Sequence, residues 1–145
     1  MMRLRHAMAG EDGSITLETV LLAPAMMAFV ALIVFGARVS LAQQAVQVAA
    51  NDAARSASIE RSQEAAVASS SRSAEATLTT QDLECSSVNV QVDASGFDVA
   101  LGEKAQVETT VTCVVSMGSL SMLGIPGRME ISRSATSPID SYRER

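Results

Sequence analysis

Few residues in this chain could do covalent or acid–base chemistry. There is one histidine, His6, and two cysteines, Cys85 and Cys113, far from a CxxC spacing. No Walker A sequence, GxGxxG, HExxH, calcium loop or N-x-[ST] acceptor occurs. The carboxylates are spread along polar stretches and offer no paired acid/base geometry. One of them stands apart. Glu18 is the last charge before 19 uncharged residues that end at Arg38. A carboxylate at the edge of an apolar helix costs energy unless it is paired or reaches the interface. In a helical assembly its natural partner is an ammonium group, and such a pair would fix the axial register of neighbouring subunits. A plainer role is an acid that favours the helix dipole, typically worth about 0.3–1 kcal/mol.

The element that positions Glu18 is the run TVLLAPAMMAFVALIVFGA, residues 19–37. As a helix it spans roughly 28 Å, close to the hydrocarbon thickness of a bilayer. It has no polar stripe, and its Pro24 and Gly36 are better tolerated in membrane helices than in soluble ones. Of the 145 residues 48% are apolar, but this run holds much of that share. With no Trp, one Tyr and three Phe, the remainder can build only a thin core. A net charge of −5 without a basic patch argues against nucleic acid as a partner. A large soluble enzyme and a DNA binder are thereby excluded, and a small membrane-attached protein is left.

Counting Lys and Arg on the two flanks is a draw: Arg3 and Arg5 precede the run, Arg38 and Arg55 follow it. The cysteines decide the orientation. Both follow the apolar run, each in a β-like stretch, and an even pair in a small domain points to a disulfide outside the cytoplasm. Two separate buried thiols are the alternative. The expected orientation is N-terminus inside, with the bulk of the chain outside. A secretory signal cut after Ala42 is a further alternative, since Ser40 and Ala42 are small residues at the right places. Against it, the apolar run exceeds the usual h-region of about 7–15 residues.

The leader MMRLRHAMAGEDG is basic, then polar, and ends in Gly13, with Glu18 five residues beyond it and the apolar helix at once after. This pattern resembles the class III signal of type IV pilins and pseudopilins. The run GSITLETVLLAPAMMAFVALIVFGARVSLAQQAVQVAANDAAR resembles the TadE-like pseudopilins of tight-adherence, or type IVb, pilus systems. The resemblance extends, less sharply, to the paired cysteines and the C-terminal sheet region. It implies that a prepilin peptidase cuts between Gly13 and Ser14 and leaves Glu18 fifth in the mature chain. Major pilins of these systems are much shorter and usually carry Tyr after the glutamate, where Thr19 stands here. Both departures point to a minor pilin or pseudopilin. His6 would leave with the leader, which removes Ser-His-Asp and Cys-His catalysis and most zinc sites from the mature chain.

Residues 38–78 contain neither Pro nor Gly, and 12 of the 35 residues from Ala42 to Ala76 are alanine, the strongest helix former. One stripe runs Leu41, Ala45, Val48, Asp52 and a second Val46, Ala50, Ala53, Ala57. Ser69-Ser70-Ser71 is the expected weak point of that helix, which ends there or runs on to about Leu78. From Cys85 the period changes to two. Val88, Val90 and Val92 predict a half-buried strand, Ala94-Ser95-Gly96 a turn and Phe97-Asp98-Val99 a short strand. Leu101-Gly102-Glu103-Lys104 turns the chain again before the strict alternation of Val107, Thr109, Val111, Cys113 and Val115. Residues 116–127 form an apolar loop that either covers the sheet or meets a partner subunit. Met129, Ile131 and Arg133 begin a last strand, and the tail from Ser137 is expected to be frayed or loosely docked.

The expected fold class is therefore α+β. A long N-terminal helix, transmembrane in its first half and amphipathic in its outer half, precedes a small antiparallel β-sheet tied by one disulfide. The expected divisions are a leader at 1–13, a transmembrane helix at 14–37, an extracytoplasmic helix at 38–80 and a β-rich domain at 81–145. The expected function is structural and non-enzymatic: a minor subunit in the assembly of a type IVb pilus, without metal or cofactor. Its partners would be the prepilin peptidase, other pilin or pseudopilin subunits, the assembly platform and the cytoplasmic membrane. Gly13 and Ser14 would serve processing, Glu18 register, and Cys85 with Cys113 the disulfide. The rivals are an unprocessed single-pass envelope-anchored binding module and a small domain secreted after cleavage at Ala42.

Overall fold

The computed structural model describes residues 12–100, 102–116 and 127–140, those at 12–18 and 21 as helical backbone only. Two compact units divide the chain, Met1–Arg38 and Val39–Arg145. Helix α1, Asp12–Ser58, contributes to both and holds Pro24 in its interior. In the first unit its side chains lie open: Leu22, Met26, Met27, Phe29, Val30, Leu32 and Ile33 are all exposed. The helix is long and apolar enough to cross a membrane, and its apolar window is not buried within the protein. Soluble helices usually hide such residues, and the exposure suits lipid or contact with other apolar helices.

The second unit is two-layered. The end of α1 and helix α2, Gln63–Thr80, lie on one face of a three-stranded sheet. The strands are β1, Cys85–Asp93; β2, Ala105–Ser116; and β3, Arg128–Ile139, in the order β1-β2-β3 and antiparallel throughout. Gln47 Nε2 donates to the Ser134 carbonyl at 3.2 Å and Arg133 donates to Gln43 Oε1 at 2.9 Å, which sets α1 over β3. Ser70 Oγ meets Thr109 Oγ1 at 3.4 Å, which sets α2 over β2. The core that fills this space is largely alanine. Val46, Ala49, Ala50, Ala53, Ala57, Ala66 and Ala74 are fully buried, joined by Leu78, Val107, Val111, Cys113 and Ile131. Small side chains let the helices approach closely, but each buries little area, so the total hydrophobic gain stays modest.

Four expectations change. Of the two stripes on α1, only the small-residue one, Val46-Ala50-Ala53-Ala57, is buried throughout; Leu41 is 65% exposed. Close packing of two helices and a sheet selected the side without bulk.

The outer helix is not one piece from 38 to 80. It stops at Ser58 and restarts at Gln63, and Ser69-Ser70-Ser71 lie inside α2. Ser58 Oγ turns back to the Arg55 carbonyl at 2.9 Å, and Ser62, extended at φ −138°, accepts from the Ala65 amide at 3.2 Å as N-cap. Glu64 adds an acid to the first turn of α2. The serine triplet does not break the helix because its hydroxyls are used: Ser70 donates to the Ala53 carbonyl at 3.3 Å, Ser71 to the Val67 carbonyl at 3.1 Å, and Ser69 meets Ser56. Replacing Ser62 by Ala removes the cap bond and is expected to cost about 1 kcal/mol. Pulse proteolysis in urea reads this as a lower unfolding midpoint.

The stretch at Phe97 is a 3₁₀ turn, Ser95–Asp98, and not a strand. The Ser95 amide donates to Asp93 Oδ1 at 3.0 Å and the Phe97 amide to the Ala94 carbonyl at 3.0 Å, which curls the chain and buries Phe97. Hydrogen bonding to Ser95 also holds the exposed Asp93 carboxyl below its ordinary range. Finally, the chain from Ser137 to Ile139 is ordered in β3. Ser137 Oγ donates to Ser58 Oγ at 3.0 Å, and Ile139 packs in a second cluster with Ala57, Phe97 and Val107. The turn before β2 stands as expected, with Gly102 at φ +90°. The apolar loop lies outside the described residues from 117 to 126, as does the tail from 141.

Candidate processing and assembly segment

Gly13, Ser14 and Glu18 lie in the first turns of α1, whose side chains there are outside the described residues. The backbone alone carries a geometric consequence. Ser14 and Glu18 are four residues apart, so they share one helix face about 6 Å apart along the axis. An N-terminus created at Ser14 would place its ammonium group one turn from the Glu18 carboxylate, at the positive end of the helix dipole.

Cys85 and Cys113 are joined, with Cα atoms 5.5 Å apart. Beyond Cys85 the half-buried residues of β1 are Val88, Val90 and Val92, so strict alternation would send Cys85 to the opposite face from Cys113. A register shift between Cys85 and Ser87 prevents this. Cys85 pairs with Val115, Ser87 with Val114 and Val88 with Cys113, leaving Ser86 as the extra residue. The Ser86 hydroxyl donates to the Val114 carbonyl at 2.8 Å and holds the bulge. Cys85 thereby returns to the helix-facing side, where the bond closes.

A seam of hydroxyls crosses the interior. Ser70 and Thr109 are fully buried, and Ser58 and Ser137 nearly so. Ser70 retains the Ala53 carbonyl whatever Thr109 becomes. Thr109→Val is therefore expected to change stability by less than about 1 kcal/mol, whereas Ser70→Val, which adds bulk between two helices, is expected to cost about 1–3 kcal/mol. Urea midpoints of the two variants measured side by side check the order.

Two open grooves flank the sheet, both walled by α2 and β1. One, of about 1060 Å³, is lined by residues including Glu75, Leu78, Asp82, Glu84 and Val88. The other, of about 650 Å³, includes Glu64, Val67, Val92 and Asp98. Among the described residues, no group of His, Cys, Asp and Glu is arranged to hold a metal ion.

The family model described as TadE-like protein matches residues 13–55. This segment is TadE-like. The match opens on Gly13, takes in Glu18 and the whole apolar run, and stops three residues before α1 ends. The TadE-like segment is thus helical throughout, and it joins the membrane-capable part of α1 to the alanine-rich part that packs on the sheet. The residues from 56 onward, with α2, the sheet and the disulfide, lie beyond the match. No curated protein and no solved structure matches the chain. Sequence reasoning placed both cysteines in the disulfide that the structure shows. It missed the α1–α2 break, for which Ser62 followed by Glu64 was the available signal, and it missed the grooves, which only packing creates.

Proposed function

We propose that the protein is a minor pilin, or pseudopilin, contributing to assembly of a type IVb (tight-adherence) pilus. The observation that carries this reading is the TadE-like match beginning at Gly13, directly ahead of a membrane-capable helix. The precursor sits in the cytoplasmic membrane as a single pass, N-terminus inside and the disulfide-tied domain outside. A prepilin peptidase cuts between Gly13 and Ser14. The new ammonium group and the Glu18 carboxylate then neutralise one another, within a chain or between neighbours, and that pair sets the axial register of packed helices. The exposed apolar side chains of α1 supply the packing, exchanging lipid for other subunits and the assembly platform. The role is structural, with no catalytic step. Release after Ala42 fits poorly, since Ala42 is buried in the main core cluster on the same helix.

The test is the N-terminal sequence and intact mass of the protein from membranes with and without its cognate prepilin peptidase. The expected result is a peptidase-dependent start at Ser14, abolished in Gly13→Leu. Glu18→Val should still be cut, but should fall by about a hundredfold or more in the sheared pilus fraction, the size of effect expected when a buried charge loses its partner. A start at Met1 or Met2 in both membranes would overturn the reading in favour of a plain anchor. A start at Gln43 would make the protein a secreted domain.

A further inference from the structure

The sheet has two edges, and they are treated differently. Along β3 the edge is covered: Gln47 Nε2 donates to the Ser134 carbonyl, Arg133 donates to the Ser132 carbonyl at 3.0 Å, and Pro138 has no amide proton to offer. Charges at Arg128, Glu130 and Arg133 add the usual protection against strand pairing. β1 has none of this. From Cys85 to Val92 it carries no charge and no proline, and among the described residues no side chain caps its main chain from the free side. An edge strand leaves alternate amide and carbonyl groups unpaired and available to a further strand.

The surroundings of β1 say what kind of strand. Its inward Val88, Val90 and Val92 are only half buried, whereas Val107 and Val111 on the central strand are fully buried. Both open grooves run between α2 and β1, with Val88 on the wall of one and Val92 and Val67 on the wall of the other. Apolar side chains at alternate positions of an added strand would enter them. The same grooves are bordered by five carboxylates, Glu64, Glu75, Asp82, Glu84 and Asp98, and by no Lys or Arg among the described residues. The charge that complements them is positive.

We infer that β1 is a strand-addition site for an extended segment of a partner protein, apolar at alternate positions and carrying Lys or Arg at its ends. Main-chain hydrogen bonds supply affinity, the grooves read the alternate side chains, and the carboxylates select the flanking charges. A second copy is a poor occupant. Pairing β1 with β1 would bring two sets of carboxylates together. The site rests only on Val39–Arg145.

The experiment uses the full chain in detergent micelles and three synthetic peptides with blocked ends: Lys-Lys-Thr-Val-Thr-Val-Thr-Lys, the same core flanked by Glu, and the Lys-flanked core with Pro at its centre. Fluorescence anisotropy reads binding and hydrogen exchange reads its place. The Lys-flanked peptide is expected to bind at least about tenfold more tightly than either other peptide, a preference that shrinks with salt. It should slow exchange of amides within Val88–Val92 and leave β3 unchanged. Reversing Glu75 and Glu84 to Lys, with the disulfide intact as a check of folding, should remove the preference. Equal binding of Lys- and Glu-flanked peptides, or protection on β3, overturns the inference. So does concentration-dependent protection of β1 with no peptide present, which would mean that a second copy fills the edge. N-terminal processing is measured separately, so failure here leaves the pseudopilin reading standing, and failure there leaves this site standing.

Discussion

Replacing Cys85 and Cys113 together by alanine should lower stability by about 3–4 kcal/mol. The bond closes a loop of sequence separation 28, and in the chain-entropy model that cross-link removes about this much freedom from the unfolded chain. The loss is large for this domain because the core offers little in reserve. Its buried positions are mostly alanine, and total stabilities of small domains are only about 5–15 kcal/mol. Pulse proteolysis of the full chain in detergent micelles across a urea series would show the midpoint falling by about 2 M, given typical slopes of 1–3 kcal/mol/M. Reductant should move the native protein to the same midpoint and leave the double variant where it is. A native midpoint indifferent to reductant would contradict the bond's assigned role.

Gly96→Ala should cost about 2–3 kcal/mol or more, although the usual effect of removing a glycine is a gain of about 0.4–1 kcal/mol through the unfolded chain. A Cβ at Gly96 would stand 2.2 Å from the Gln106 carbonyl oxygen and 3.0 Å from the Gln106 backbone carbon and nitrogen. These are main-chain atoms of β2, held in register with Pro138 of β3, and cannot swing aside as a side chain could. The 3₁₀ turn would have to lift away, exposing Phe97 and loosening its cluster with Val107 and Ile139. Gly102→Ala is the informative comparison. Among the described residues beyond its chain neighbours, no atom lies within 4 Å of a Cβ there, but the backbone sits at φ +90°, so the cost is conformational, about 1–2 kcal/mol. Urea midpoints ordered native, Gly102→Ala, Gly96→Ala would bear out both arguments; a Gly96→Ala midpoint at or above that of Gly102→Ala would refute the close approach.

Much of the architecture was legible in the sequence where one pattern acted alone. The 19 uncharged residues after Glu18 suit an apolar surrounding, and Val20, Leu22 and the apolar side chains from Met26 to Val34 stand exposed on a helix long enough to span a membrane. The alternation from Val107 to Cys113 admits one half-buried strand, and those inward residues are fully buried. The resemblance to TadE-like proteins was legible because its pattern is local, and the family match covers residues 13–55. The serine triplet misled because a hydroxyl in a helix can either compete with the backbone or settle on a carbonyl. Ser70 settles on Ala53, a residue 17 positions away that no local pattern could name as its neighbour.

By itself, then, the sequence determined the α+β order of elements, the membrane-capable helix, the central strand and the pairing of two cysteines in one small domain. Those outcomes follow from residue type and short-range period, quantities that a chain carries before it folds. Tertiary structure alone decided which stripe of α1 turned inward, since excluded volume between two helices and a sheet favours Ala50, Ala53 and Ala57 over Leu41. It alone decided that Ser86 would bulge, because Cys85 must face the same side as Cys113 for the bond to close while Val88 keeps its place beside it. And it alone brought Gln47 of α1 onto the Ser134 carbonyl at the β3 edge while, among the described residues, no side chain caps the main chain of β1, a difference set by where α1 comes to lie on the sheet.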